Sequence, residues 1–164
     1  METKLIIFSL GIISMYLLLI YILFKKLPSV SKSFYELEEK CGKKYTWLFT
    51  VALLLYAFPL MVAGLSMTSG NPFQFLMFIA PAGIIFTAVA PRFKEDLEKD
   101  VHYRGALTGI VGAMLGILLM MQFYYVAFVG MTGIALLGWL KVKNQLYWLE
   151  VLVFYLYAIS LLFY

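Results

Sequence analysis

The feature that most limits what this chain can become is the placement of its cations between long apolar runs. Of its thirteen Lys and Arg residues, only Lys4 falls outside three connections. Lys25, Lys26, Lys32, Lys40, Lys43 and Lys44 follow the first run; Arg92, Lys94, Lys99 and Arg104 follow the third; Lys141 and Lys143 follow the fifth. The connections near residues 66–72 and 121–125 carry none. Short basic loops are retained on the cytoplasmic side of a membrane, so this alternation predicts a multi-pass chain with cytoplasmic basic loops and both termini outside. The expected location is the plasma (inner) membrane.

With 63% hydrophobic and 13% charged residues, the 164-residue chain departs from the make-up of a soluble domain. The predicted fold is all-α: a polytopic integral membrane protein, a six-transmembrane-helix bundle with short amphipathic cytoplasmic segments. One domain is expected, because no Pro/Gly/Ser-rich linker divides the chain. The spans expected are 5–24, 45–65, 72–90, 105–121, 124–140 and 146–164. The first, about twenty residues, is long enough to cross a hydrocarbon core of roughly 30 Å. It ends at Lys25 and Lys26 rather than at a small-residue cleavage site, so it reads as a span and not as a signal peptide. Residues 105–140 as one helix would reach about 54 Å, which predicts a break near 122–125. Whether spans four and five cross fully or form a re-entrant hairpin stays open at this point. The formal charge of +4 is carried beside apolar spans and interleaved with acids, which points to membrane lipid as partner and away from nucleic acid. The single cysteine, Cys41, is expected to be a free thiol.

Local signals refine this outline. Ser33 and Glu36 have capping-box spacing and Gly42 can close a helix end, predicting a short interfacial helix over about 34–41. Phe34, Leu37 and Cys41 share its apolar face, directed at lipid or at the bundle. Pro59 and Pro81 fall inside spans two and three, where each deletes a backbone hydrogen bond and favours a kink. A packing role and a role in a ligand cavity or gate are both open for them. Gly105, Gly109, Gly112 and Gly116, at 4-3-4 spacing, align on one face of span four and mark a close helix–helix contact. Its expected partner is span five, through Ala127, Gly130 and Ile134 flanked by Gly133 and Gly138; a subunit interface is the alternative.

Catalytic motifs such as GxSxG, HExxH, the Walker loop and GxGxxG are absent. A single histidine excludes a zinc site built from several imidazoles of one chain, and no metal or cofactor is expected. The polar groups that topology places on one side are Ser29, Ser31 and Ser33, then Asp96, Glu98, Asp100, His102 and Arg104, then Asn144, Gln145 and Glu150. His102 titrates near neutrality and Glu98, four residues earlier, can orient it, which makes the two weak acid/base candidates. The competing reading is a solvated helix paired through Glu95 with Lys99 and Asp100 with Arg104, anchored at the interface by His102, Tyr103 and Arg104. Glu150 lies about one turn inside the last apolar run, where an acid must snorkel, pair or be neutralised. Lys141, Lys143 and Arg104 are its expected partners. Only this carboxylate lies well inside a span, which argues against a multi-carboxylate proton relay.

The stretches LPSVSKSFYEL (27–37) and APRFKEDLEKDVHY (90–103) resemble loops of uncharacterised small multi-pass membrane proteins of bacterial or phage origin, a resemblance that implies no activity. A more distant comparison is the membrane hydrolase superfamily of alkaline ceramidases and progestin/adiponectin receptors. Only His102 matches one of the three zinc-binding histidines found there, which argues against a zinc amidase. The leading expectation is therefore a bundle that binds or passes a small apolar or amphipathic ligand or an ion, with Pro59, Pro81 and Glu150 as ligand or pathway candidates and with assembly as a homo-oligomer left open. The alternatives are a lipid-headgroup-modifying enzyme around His102, and a non-catalytic subunit that packs on another membrane protein through span four.

Overall fold

Where no water is present to satisfy peptide groups, a chain must close its hydrogen bonds within each segment, and helices do so. The computed structural model describes residues 1–25, 27–92, 95–120, 124–139 and 144–164, and among the described residues every regular element is helical. The helices are α1 (Glu2–Phe24), α2 (Ser33–Cys41), α3 (Trp47–Met67), α4 (Leu76–Val89), α5 (Glu95–Leu115), α6 (Tyr124–Trp139) and α7 (Gln145–Phe163). A π-helical turn, Gly116–Met120, extends α5.

Among the described residues, four stretches are long and apolar enough to cross a membrane: Glu2–Phe24, Lys43–Met67, Asp100–Leu119 and Gln145–Phe163. The expected count was six. Helix α4 has 14 residues and α6 has 16, or about 21 and 24 Å of length against a hydrocarbon core of about 30 Å. The third expected span is shortened at its start. Asn71 Oδ1 accepts the Phe73 N–H at 2.9 Å, and the Gln74 side-chain amide donates to Leu65 O at 2.7 Å. These bonds commit residues 71–75 to turns, and the helix begins only at Leu76. Of the break expected near 122–125, residues 122 and 123 lie outside the described residues, and α6 is described from Tyr124 onward.

Pro59 and Pro81 lie within α3 and α4, which continue through them. Helix α2 forms as expected and stops at Gly42, whose φ of 97° suits glycine and whose N–H reaches Glu38 O at 3.1 Å. The capping box does not form. Lys32 occupies the cap position, its carbonyl accepts the Glu36 N–H at 3.1 Å, and the Ser33 hydroxyl is used elsewhere. The apolar face of α2 meets the bundle: Phe34 and Leu37 are buried, and the Phe34 ring sits edge-on to Phe49 at 5.9 Å.

Helices α1, α3, α4, α5 and α7 contact one another in a closed ring, with α6 against α7 outside it. The ring is filled by Ile6, Ile13, Phe49, Leu53, Tyr56, Leu60, Met77, Ile117, Tyr157 and Leu161. Its outer surface presents Ile7, Leu18, Ile22, Phe58, Phe78 and Phe86. Apolar exposure on this scale is foreign to a soluble monomer and compatible with a bilayer. At one end of the ring Ser66 donates to Glu2 at 2.9 Å. At the other, Thr50 donates to Ala88 O at 3.1 Å and the Tyr147 N–H to Pro28 O at 3.1 Å. The elements flanking all three basic connections are thus gathered at one end. Inside, the Tyr56 hydroxyl donates to Phe154 O at 2.7 Å, with the two rings 5.2 Å apart. Tyr56→Phe keeps the ring packing and loses one buried hydrogen bond. It should cost about 1 kcal/mol, read as a lower thermal unfolding midpoint in detergent.

Candidate functional site

Between α1 and α2 the chain turns back into the bundle. Leu27 and Val30 retain only 5% and 1% of their exposure, and Ser29, Ser31 and Ser33 are buried. A buried loop carries peptide groups that need partners, and several of its bonds run to its own serines and to the bundle. The Lys32 N–H donates to Ser29 Oγ at 3.1 Å. The Ser33 hydroxyl donates to Val30 O and meets the Tyr16 hydroxyl. The Tyr147 N–H, in the first turn of α7, donates to Pro28 O. Two further donors converge on one side chain: the Val30 N–H reaches Glu150 Oε2 at 2.5 Å, and Ser31 Oγ donates to Glu150 Oε1 at 3.1 Å.

This arrangement differs from the cationic partners expected for Glu150. Arg104 reaches Asp100 on its own helix at 3.4 Å, while Lys141 and Lys143 lie outside the described residues. Among the described residues no cation lies within 4.0 Å of the Glu150 carboxylate. A neutral amide and a neutral hydroxyl hold it, through the short charge-assisted bonds that carboxylates accept well. A carboxylate offers about four lone-pair sites, so these two bonds leave acceptor capacity on both oxygens.

That capacity opens onto a cavity of about 40 Å³ inside the ring, bounded by Val30 and Ser31 of the loop, Leu53 of α3, Thr87 of α4, Gly109 of α5, and Glu150 and Phe154 of α7. By the same measure one water needs roughly 10–15 Å³, so the volume is that of a few waters; Leu53, Ile84, Ile110, Val153 and Phe154 make most of the lining apolar, and Ser31, Thr87 and Glu150 are its polar side chains. A lipid does not fit. Thr87 donates its own proton to Gly83 O at 2.9 Å, which leaves its oxygen as an acceptor. Elsewhere in the ring the interior holds the buried side chains of Tyr56, Leu60, Met77 and Tyr157. Pro59 is half-buried and Pro81 buried, and neither lines this cavity.

The glycine stripe meets a different helix from the one expected. A Cβ on Gly105 would approach Phe86 Cβ at 2.9 Å, one on Gly109 the Ala80 carbonyl at 3.4 Å, one on Gly112 the Ala80 N at 3.0 Å, and one on Gly116 Met77 Cε at 2.7 Å. All of these neighbours belong to α4. The reciprocal residue is Gly83, where a Cβ would lie 2.2 Å from Gly109 N. The small-residue spacing of Ala80, Gly83 and Thr87 on α4 is the sequence signal that would have revealed this pairing. The glycines of α6 face α7 instead: Gly130 lies against Leu156 and Gly133 against Leu152. The side chains of Ala127 and Ile134, and Gly138 beside them, lie outside the described residues. With its glycine face occupied by α4, span four does not offer that stripe to a second protein.

His102 is half-buried, and its Nδ1 is shielded from solvent without a hydrogen-bond partner. The Glu98 side chain lies outside the described residues, whereas the Asp100–Arg104 pair forms on an exposed face. Among the described residues no cluster of three His, Cys, Asp or Glu could hold a metal. Comparison of the chain with protein-family models, curated proteins and solved structures gives no match.

Proposed function

We propose that this chain is a six-pass membrane protein, with its basic connections on the cytoplasmic face, that binds one small cation or proton at Glu150. The observation that carries the reading is a carboxylate one turn inside α7 that opens onto a cavity of about 40 Å³ and has no ammonium or guanidinium beside it among the described residues. An intramembrane acid without such a partner is a functional-site hypothesis by default. Of the ligand classes expected from the sequence, the apolar and amphipathic ones exceed this cavity, which leaves ions and protons. Ser31, Thr87 and Glu150 supply the oxygen atoms that a hard cation prefers. The loop at 27–33 roofs the cavity, so exchange with the basic end of the bundle requires release of Val30 and Ser31 from Glu150. The packed interior beyond it favours binding and one-sided exchange over free conduction. The six-pass topology draws support from the alternation of basic connections and from the six α-helices besides α2 among the described residues, of which α4 and α6 are shorter than the hydrocarbon core and would cross only with local thinning of the bilayer.

The test uses a hydrophobic carbodiimide, which adds to protonated carboxyl groups within a bilayer. Protein in liposomes should be modified at Glu150, and sodium or potassium should slow the reaction. Glu150→Gln should abolish it. Labelling at Glu150 that is indifferent to both pH and every alkali cation would overturn the proposal.

A further inference from the structure

Outside the ring, where the end of α1 meets the first turn of α7, lies an open groove of about 640 Å³. Its two walls differ in chemistry. Ile20, Ile22 and Leu27 form an apolar floor, and the Trp148 ring, half-exposed and edge-on to Tyr147 at 5.3 Å, forms a side. Lys25, Asn144 and the phenols of Tyr21 and Tyr147 bring polar groups to the same groove. Lys25 is exposed, and among the described residues no carboxylate lies within 4.0 Å of its ammonium. The connection that begins there carries six lysines against three glutamates between residues 25 and 44.

We propose that this groove seats one anionic phospholipid, its phosphate against Lys25 and Asn144 and the head of an acyl chain along Ile22 and Trp148. Charge complementarity selects this occupant. A cation without an acidic partner, at the end of the bundle where the basic connections gather, attracts an anionic headgroup, and tryptophan and tyrosine beside it suit the boundary between headgroup and hydrocarbon. An entirely apolar groove would accept any lipid tail, whereas Lys25 makes the headgroup the discriminating part. The site is separate from the Glu150 cavity and stands independently of the function proposed for it.

Native mass spectrometry of the purified protein, exchanged into equimolar phosphatidylglycerol and phosphatidylcholine, tests the proposal. The expected spectrum retains one phosphatidylglycerol in preference to phosphatidylcholine. Lys25→Gln should weaken that retention by about fivefold, and Lys25→Arg should preserve it. Lys44→Gln, which removes a cation from the same connection but outside the groove, should leave it near the wild-type level. Equal retention of the two lipids would overturn the proposal, and so would an equal loss in Lys25→Gln and Lys44→Gln, which is the signature of diffuse attraction.

Discussion

Gly83→Leu should prevent α4 and α5 from packing and leave the protein unable to hold a monodisperse form in detergent. Even the first atom of a side chain is too many at this position: an added Cβ would lie 2.2 Å from Gly109 N, 2.5 Å from Gly109 Cα and 2.6 Å from Gly105 O. A side chain that meets a flexible neighbour can displace it, but these neighbours are backbone atoms of a helix and have no rotamer to change. The two axes must separate, and every contact along Gly105, Gly109 and Gly112 weakens with them. Overpacking a tight interior typically costs about 1–3 kcal/mol, and Gly83→Ala should fall at or above the top of that range. Leucine adds three more carbons to the same collision. Gly11→Leu supplies the comparison, since nothing lies within 4 Å of a Cβ built on Gly11. It should change the thermal unfolding midpoint little or raise it, because glycine is a poor helix former. Similar losses for the two substitutions would show that α4 and α5 do not cross this closely.

The second large effect concerns Glu150. Its alanine variant leaves the Val30 N–H and the Ser31 hydroxyl buried without their acceptor. Each such group costs about 1–3 kcal/mol, so Glu150→Ala should lower stability by about 2–6 kcal/mol in all. Glutamine keeps the shape and offers one acceptor and one donor. Its carbonyl can accept from Val30 while its amide donates to Ser31, whose hydroxyl rotates to receive it. Glu150→Gln should therefore lose only the charge-assisted part of the two bonds, about 1 kcal/mol. Ser31→Ala removes a single donor and should fall between them. Thermal unfolding in one detergent ranks the three variants. A glutamine variant as damaged as the alanine variant would place the importance of Glu150 in its charge and not in its hold on the loop.

The depth of Glu150 in the last apolar run was legible, because hydropathy alone locates an acid among Leu, Val and Tyr. Its partner was not. The bond joins residues 120 positions apart, and its main donor is the backbone of Val30, which every residue but proline possesses and which leaves no mark in composition. Cations near the same end were the visible candidates, and a search by charge leads to them. The glycine stripe was likewise legible from its spacing, whereas its partner carried one glycine, Gly83, beside Ala80 and was outweighed by several glycines in span five. Span lengths read from hydropathy ran long at the start of α4, because apolarity at residues 72–75 says nothing of the side-chain bonds from Asn71 and Gln74 that wind them into turns. Helix α2 and its end at Gly42 were read closely, since local pattern and local structure agree there. Its serine was misplaced because the capping signal at Ser33 competes with a tertiary bond to Tyr16.

The claim on which the site depends is that Glu150 holds the 27–33 loop down over the cavity. Thiol accessibility measures this directly, with Val30→Cys in a Cys41→Ser background so that one thiol is present. The account predicts that a small impermeant maleimide reacts slowly at residue 30 when Glu150 is intact and rapidly when Glu150→Ala is added. Rapid reaction in both proteins, or the same slow reaction in both, would contradict it.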